Sequence, residues 1–249
     1  MTEPSLLLLI PAYNEERRIE PVLRDYAGYF KAHYQGKFQL VVVLNGCTDN
    51  TLAVVQHVGA EYPAVTALEF HEAIGKGGAL IEGLKLAPLA DLIGYVDADT
   101  RMPPGWIARV LRTFERHPRV VCVSGPYIYY DAKHWQRAMV RLYWIFLASP
   151  AYWMTRYMVV GGNFAARRSA LEQIGGFDTE IAFYGEDTNI ARRLHAAGKV
   201  KFLLRLPMRT SSRRLREEGM VVVAGKYVAN FLSEVVLKRP VTRAYRDIR

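Results

Sequence analysis

Short apolar runs alternate with segments of helical periodicity through the first half of the chain. The apolar runs are residues 6–10, 38–44, 65–70, 92–96 and 120–125. After the first run, apolar side chains recur at helical spacing from Ile19 to Phe30, and the second run is followed by the same spacing. This alternation predicts βαβ units and an α/β domain with a mostly parallel central sheet flanked by helices.

Composition and charge narrow the classes of partner. The 249-residue chain is 51% hydrophobic and carries a formal net charge of +9, which favours nucleic acid, an anionic membrane surface or phosphorylated substrates. Cys47 and Cys122 lie far apart in apolar surroundings, so neither a disulfide framework nor a zinc site is expected. The first run follows Glu3 and predicts a strand instead of a signal peptide, and the apolar segment 142–155 is too short to span a bilayer. We therefore expect a cytoplasmic protein.

Two carboxylates directly follow a predicted buried strand. Asp97 and Asp99 come after the run 92–96, and ligands of open α/β sheets bind beyond the carboxyl ends of the strands. Oxygen ligands of this type suit Mg²⁺ or Mn²⁺ bridging to phosphates. An isolated pair with this spacing is more often a set of solvated loop acids, so the metal interpretation depends on the surrounding segments.

The surrounding segments resemble a known family. Four of them resemble the nucleotide-binding half of the family 2 glycosyltransferases: "PAYNEE" (11–16), "LNGCTDNT" (44–51), "GKGG" (75–78) and "YVDADT" (95–100). Two more resemble the acceptor side of the same family: "GGNFAARRSALEQIGGFD" (161–178) and "GEDTNIARRL" (185–194). The resemblance implies the Rossmann-like GT-A fold in a single domain over 1–215, with a nucleotide-binding half (1–100) and an acceptor half (101–215). A basic helical extension over 216–249 would follow.

The resemblance also implies an activity and roles for individual residues. A sugar would move from a nucleotide-diphosphate donor, with UDP as the first guess, to a hydroxyl acceptor, with inversion and with Mn²⁺ or Mg²⁺ as cofactor. Asp97 and Asp99 would hold the ion, and Asp187 would be the general base, with Glu186 as the next candidate. Donor contacts are implied for Pro11, Ala12, Tyr13, Glu15, Asn45, Lys76, Asp97, Ala98, Gly162, Asn163, Arg213 and Arg214.

One departure from the family pattern concerns the nucleobase. Family members commonly have "DDGSTD" where this chain has "LNGCTD", so Leu44 and Asn45 replace two acids. Asn45 still offers a donor and an acceptor to a base or ribose. The departure leaves the identity of the nucleobase open.

The helical pattern after Gly185 predicts where Asp187 faces. Asp187, Ile190 and Leu194 fall on one helical face, so the acid heads an apolar stripe and should point inward toward a cleft. The alternative is an acid that only favours the dipole at a helix N-terminus.

Two further segments have open interpretations. The turn Gly161, Gly162 and Asn163 would let backbone and amide approach the donor sugar, or it is a plain tight turn. Arg213 and Arg214 lie on a flexible-looking segment that could close over the diphosphate, or that is a solvated basic loop.

The sequence leaves two alternative functions open and also indicates which partners to expect. A sugar-phosphate nucleotidyltransferase shares the sheet type and metal use, and a catalytically silent nucleotide-sugar-binding relative is the second alternative. No nucleic-acid-binding motif is visible, so nucleic acid is not expected as a partner. The aromatic segment 142–157 and the basic tail 237–249 predict peripheral contact with the inner face of a membrane, which would support a lipid-linked acceptor. The resemblance also implies a role in cell-envelope polysaccharide or glycolipid synthesis. A buried aromatic core with a solvated tail is the alternative.

Overall fold

The computed structural model describes residues 3–86, 89–178, 181 and 185–237. In this part of the chain the strands are β1 (Leu6–Ala12), β2 (Phe38–Asn45), β3 (Val65–Phe70), β4 (Leu92–Val96), β5 (Val120–Ser124), β6 (Tyr127–Tyr129), β7 (Asn163–Arg167), β8 (Lys199–Phe202) and β9 (Met208–Thr210). The helices are α1 (Ile19–His33), α2 (Thr51–Glu61), α3 (Gly75–Leu86), α4 (Trp106–Arg116), α5 (His134–Tyr143), a π-helical turn (Trp144–Ala148), α6 (Ser149–Thr155), α7 (Arg168–Gln173), α8 (Glu186–Ala197), α9 (Arg213–Glu218) and α10 (Met220–Leu237).

A seven-stranded sheet in the order β3-β2-β1-β4-β7-β5-β8 forms the centre of the fold. Its paired strands are parallel except that β7 runs antiparallel to both β4 and β5. The predicted single α/β domain with a mostly parallel sheet is therefore confirmed. All five predicted apolar runs form strands, whereas β7 was not among the predicted strands.

The core lies on both faces of the sheet. Residues of β1 are almost fully buried along its length, as expected for a strand covered by helices on both sides. Leu8 and Ile10 belong to one buried cluster with Phe30 of α1, and Leu9 belongs to another with Leu194 of α8. The periodicity of 2 in β1 thus distributes its side chains between the two helical layers.

The strand order reverses at β1, which has the parallel neighbours β2 and β4. Leu9 pairs with Tyr95, so the last residues of β1 lie alongside Asp97 and the residues that follow it. Open α/β sheets bind ligands in the crevice at such a reversal.

The C-terminal part of the described chain closes over this crevice. A short parallel ribbon pairs β6 with β9, and an isolated bridge joins Arg101 to Arg209, so the chain returns beside Asp99 before α9. The boundary expected after residue 215 falls inside α9. Helix α10 packs on α8, where Asn189 donates to Glu234 over 3.0 Å.

The predicted membrane features fall in two regions. Residues 134–155 form α5, the π-helical turn and α6 in one continuous run. None of the helices in the described ranges is long and apolar enough to cross a membrane. The basic tail beyond residue 237 lies outside the described residues.

Candidate active site

Fourteen of the predicted site residues surround one cavity of about 980 Å³ at the carboxyl edge of the sheet. They lie at the end of a strand, in a loop next to a strand or at the start of a helix. They are Pro11, Ala12, Tyr13, Glu15, Asn45, Lys76, Asp97, Ala98, Asp99, Gly162, Glu186, Asp187, Arg213 and Arg214. The structure therefore brings together residues that are as far as 203 positions apart in the chain, from Pro11 to Arg214 (214 − 11).

Asp97 lies at the centre of a hydrogen-bonded group after β4. Its Oδ1 accepts a hydrogen bond from Lys76 Nζ at 2.9 Å, and its Oδ2 accepts one from the Tyr127 hydroxyl at 2.7 Å. Burial alone would raise the pKa of Asp97, but the charge of Lys76 and the two hydrogen bonds hold it below its usual range. Asp97 is therefore ionised, with its orientation set from two sides.

Tyr127 is a site residue that the sequence reasoning missed. Burial and the neighbouring Asp97 raise the pKa of its hydroxyl well above the usual value, so the group stays a donor. Its only sequence signal is the short aromatic run 127–130, which predicts a strand but gives no indication of a carboxylate partner.

Asp99 has weaker contacts than Asp97. Its Oδ1 lies 3.4 Å from the Thr210 hydroxyl, and its Oδ2 lies 3.5 Å from Arg213 Nη2. Burial and the charge of Asp97 raise the pKa of Asp99 to about 6. The negative charges of the two carboxylates in this cavity are thus only partly balanced by the neighbouring basic side chains.

Arg213 lies at the start of α9, so this segment is a helix and not the solvated basic loop of the alternative interpretation. Its Nη2 lies 3.3 Å from Glu15 Oε1 and 3.5 Å from Asp99 Oδ2, which joins the ends of β1 and β4 to α9. Its Nη1 is buried and has no hydrogen-bond partner within the described ranges. Arg214 lines the cavity next to it, with Nη1 3.6 Å from Glu218.

Asp187 faces the cavity from the first turn of α8. Its Oδ2 accepts the Gly161 N–H at 2.9 Å, whereas its Oδ1 is buried and has no hydrogen-bond partner in the described part of the chain. Burial and the charge of Glu186 raise the pKa of Asp187 to about 8, although Lys76 opposes the shift. Burial also raises the pKa of Glu186. Asp187 therefore combines a fixed orientation with one uncommitted oxygen.

The two glycines of the predicted turn permit close approach. A Cβ on Gly161 would overlap the carboxylate of Asp187, and a Cβ on Gly162 would overlap both Asp97 and the hydroxyl of Tyr127. The turn therefore has a packing requirement that a plain surface turn lacks.

Asn163 does not reach the cavity, which corrects its predicted contact with the donor sugar. The residue is fully buried, and its amide accepts from Trp106 Nε1 at 2.8 Å. The same amide donates to the carbonyl oxygens of Pro126 at 3.1 Å and Leu206 at 2.9 Å. Asn163 instead ties the strand that follows the glycine turn to the loops on either side.

The two residues at the end of β2 that replace the family acids lie in different environments. Leu44 is fully buried in the core and cannot contact a ligand. Asn45 lines the cavity, and its Oδ1 accepts the Ile74 N–H at 2.8 Å, which fixes the amide beside the start of α3. Asn45 is thus the one of the two positions that can meet a nucleoside.

The donor set of Asp97 and Asp99 fits a divalent cation. Their carboxylate oxygens are the hard ligands that Mg²⁺ and Mn²⁺ prefer, and the long contacts of Asp99 are easily exchanged. No cluster of three or more acidic, histidine or cysteine side chains arranged for a metal is found among the described residues. Two carboxylates with the remaining positions filled by phosphates and water is the usual arrangement for Mg²⁺.

Comparison with known proteins agrees with this geometry. Residues 8–175 match the family model described as "Glycosyl transferase family 2". The chain is 34% identical over 98 residues to a dolichyl-phosphate beta-glucosyltransferase of Trichomonas vaginalis, covering 38% of this chain and 30% of that protein. It is 26% identical over 217 residues to a beta-monoglucosyldiacylglycerol synthase of Synechocystis sp., covering 82% of this chain and 43% of that protein. The chain thus spans less than half the length of these relatives.

A solved structure shows the same fold. The mannosyltransferase PcManGT from Pyrobaculum calidifontis, in complex with GDP-Man and Mn²⁺, superposes with a TM-score of 0.72 at 20% identity, over 95% of this chain and 65% of that one. This likeness confirms the predicted GT-A fold. Because the family match runs from β1 past the glycine turn and covers more than half of the sequence, the chain belongs to glycosyl transferase family 2.

Proposed function

We propose that the chain transfers a glycosyl group from a nucleotide-diphosphate sugar to the hydroxyl group of an acceptor, with inversion at the anomeric carbon. A new bond forms from the acceptor oxygen to the anomeric carbon while the bond to the diphosphate breaks. The electron pair of the broken bond leaves with the diphosphate, and the hydroxyl proton passes to Asp187. Family membership supports the class of reaction, and the contacts of the cavity residues support the roles below.

The observation that carries the proposal is the uncommitted oxygen of Asp187. The Gly161 N–H holds Oδ2 at 2.9 Å, and the buried Oδ1 has no partner among the described residues, although Asp187 lines the cavity. A buried polar atom without a partner is costly unless a ligand meets it. A hydroxyl donor placed at Oδ1 would satisfy this atom and would be aligned for proton transfer.

The basic residues of the cavity suit the diphosphate. Lys76 stands in the first turn of α3, where a helix N-terminus and an ammonium group both favour negative charge. Arg213 and Arg214 add two guanidinium groups from α9. Asp97 and Asp99 would hold Mn²⁺ or Mg²⁺, which when bound neutralises charge on the departing diphosphate.

The nucleobase would lie at the ends of β1 and β2. There Pro11, Ala12 and Tyr13 supply backbone and ring surface beside Asn45. Leu44 is buried, so Asn45 supplies the polar contact at this end of β2. UDP stays the first donor to test, and the complex of PcManGT with GDP-Man makes GDP the second.

The phosphate-containing product that is released distinguishes glycosyl transfer from nucleotidyl transfer. The purified chain is incubated with Mn²⁺ and a panel of UDP- and GDP-sugars, and binding is followed by the melting temperature. A ligand that binds only the native state raises the melting temperature by mass action. Release of nucleoside diphosphate supports glycosyl transfer. Release of pyrophosphate from a nucleoside triphosphate and a sugar phosphate would instead identify a nucleotidyltransferase, and binding without turnover would identify a silent relative.

We also propose peripheral contact with the anionic inner face of a membrane. On the run 134–155 the side chains of Phe146, Trp153 and Met154 are 71%, 66% and 86% exposed, and Val221 of α10 is 80% exposed. Residues 133–156 contain no Asp or Glu, and Lys133, Arg141 and Arg156 in this segment are exposed. Apolar anchors with a basic surround suit an anionic bilayer, at about 1 kcal/mol for each basic residue near the surface.

Vesicle sedimentation tests this contact. The chain should co-sediment with phosphatidylglycerol vesicles at low salt, and replacing Phe146 and Trp153 with Ser should release it. Leu89, which is also highly exposed, gives a matched control, because Leu89→Ser should leave sedimentation unchanged. Equal sedimentation of both variants would contradict the assignment of this surface.

A further inference from the structure

The cavity has an apolar half beyond its charged residues. The segment 134–155 and α10 both line it, with side chains that include Leu142, Leu147, Ala151, Val223, Val228 and Phe231. At about 980 Å³ the whole cavity is near the upper limit of ordinary small-molecule sites. A nucleotide-diphosphate sugar held by the charged residues would leave the apolar half for another molecule.

The apolar half reaches the proposed base. Gly161, which donates to Asp187, follows Val160, and Val160 packs in a buried cluster with Ala148 of the π-helical turn. Val160 and Ala148 both line the cavity. The wall of the cavity therefore passes without interruption from Asp187 to side chains of the segment 134–155.

The same half opens to the outside through apolar side chains. Leu147 and Leu232 line the cavity, yet they are 51% and 55% exposed. They stand on the two helical segments that also carry the exposed Phe146 and Val221. A cavity whose lining includes exposed apolar side chains is typical of a site that receives an apolar ligand.

We infer that the acceptor is a membrane lipid whose chain lies in the apolar half of the cavity and whose head-group oxygen lies at Asp187. The inference rests on the proposed glycosyl transfer and names its acceptor class. The absence of acidic residues from 133–156 would let the mouth lie against an anionic bilayer, from which the lipid enters. A small water-soluble acceptor would leave the apolar walls without contact.

A fluorescent alcohol tests the apolar half directly. The probe is 10-(1-pyrene)decanol, and its binding to the full chain is read by fluorescence. Ala224 lines the cavity and is exposed, so Ala224→Trp should fill the mouth, whereas Ala229 is exposed on the same helix outside the lining. Displacing even two methylene groups of the probe should weaken its binding about tenfold or more.

The control variant makes this result specific. Ala229→Trp adds the same side chain to α10 and should bind the probe within about twofold of the wild type, since changes on an exposed face away from the ligand are small. Melting temperatures confirm that both variants fold. Equal binding by both variants, or no binding by the wild type, would overturn the inference.

Competition by the straight-chain alcohols from butanol to decanol gives an independent measure. Each methylene group that enters the apolar half should tighten binding about fourfold. An affinity that does not change with chain length would overturn the inference even if the pyrene probe binds.

Measurements with the donor separate this inference from the proposed function. A chain that binds nucleotide sugars but shows no chain-length dependence rejects only the lipid acceptor. A chain that binds alcohols but no nucleotide sugar rejects the transfer, and with it the role of the lipid as acceptor. Turnover on anionic vesicles that contain diacylglycerol or a polyprenol, both of which present a hydroxyl group, then distinguishes head groups. Transfer to either supports the inference, and transfer to soluble sugars alone overturns it.

Discussion

Replacing Asp187 by Asn should remove most transfer while leaving the fold and donor binding intact. The substitution keeps the size of the side chain and an oxygen that can accept the Gly161 N–H, now bonded to Oδ2 at 2.9 Å. It removes the basic lone pair at the oxygen that has no partner in the described structure. Loss of a general base typically lowers the rate by a factor on the order of 10² to 10⁴, or about 3 to 5 kcal/mol of barrier.

The two possible roles of Asp187 predict different effects of the same substitution on the stability of the fold. The folded chain raises the pKa of Asp187 to about 8 through burial and the charge of Glu186. Between the unfolded value and about 8 the native state holds a proton that the unfolded state releases, so this group stabilises the fold at low pH and progressively less as pH rises. An Asn side chain does not ionise, so the variant does not lose this stability as the pH rises. It should therefore melt at no lower a temperature than the wild type at pH 8. An acid that only favours the helix dipole would instead cost about 1 kcal/mol on removal.

The assay compares turnover, donor affinity and melting temperature for the two proteins. In the wild type the rate should increase with pH toward the pKa of Asp187, because only the ionised carboxylate accepts a proton. Turnover of the Asn variant near the wild-type rate, with a lowered melting temperature, would refute the assignment and make Glu186 the next candidate.

Three other changes test separate parts of the account. Asp99→Ala should abolish both activity and the dependence of nucleotide-sugar binding on a divalent ion, and full activity of the wild type in excess EDTA would exclude the metal assignment. Gly162→Ala should disrupt the group around Asp97 and lower both activity and melting temperature, because its Cβ overlaps Asp97 and Tyr127. Gly225→Ala is the control on α10, where a Cβ meets nothing within 4 Å, and it should increase the free energy of unfolding by about 0.5–1 kcal/mol. Equal effects of the two glycine changes in calorimetry would contradict this packing. Glu234→Ala should lower stability by about 1–3 kcal/mol, because it leaves the buried amide of Asn189, which donates to Glu234 at 3.0 Å, without a partner. A denaturation midpoint unchanged from the wild type would show that α10 is not anchored there.

Local periodicity was sufficient to predict much of the sheet and the direction of Asp187. Buried parallel strands are continuous apolar runs, so β1 to β5 were evident, and the helical stripe through Ile190 and Leu194 predicted the inward face of Asp187. The five runs and that stripe depend on spacing within a few residues of one another. Such spacing can be read without knowledge of remote contacts.

Features that depend on remote partners could not be predicted in this way. Strand β7 enters the sheet antiparallel between β4 and β5, and nothing in its own residues specifies those neighbours. Asn163 was expected at the donor, but Trp106 and two carbonyl groups use its amide in the interior. Arg213 became an ordered bridge because Glu15 and Asp99 lie opposite it, and these partners are 198 and 114 positions away.

A structure of the chain with its nucleotide sugar and Mn²⁺ tests the central claim most directly. The account predicts the diphosphate beside Lys76, the metal on Asp97 and Asp99, and the anomeric carbon facing Asp187 across the space where the acceptor hydroxyl would lie. A nucleotide sugar bound outside this cavity, or bound within it with the anomeric carbon shielded from Asp187, would contradict the account.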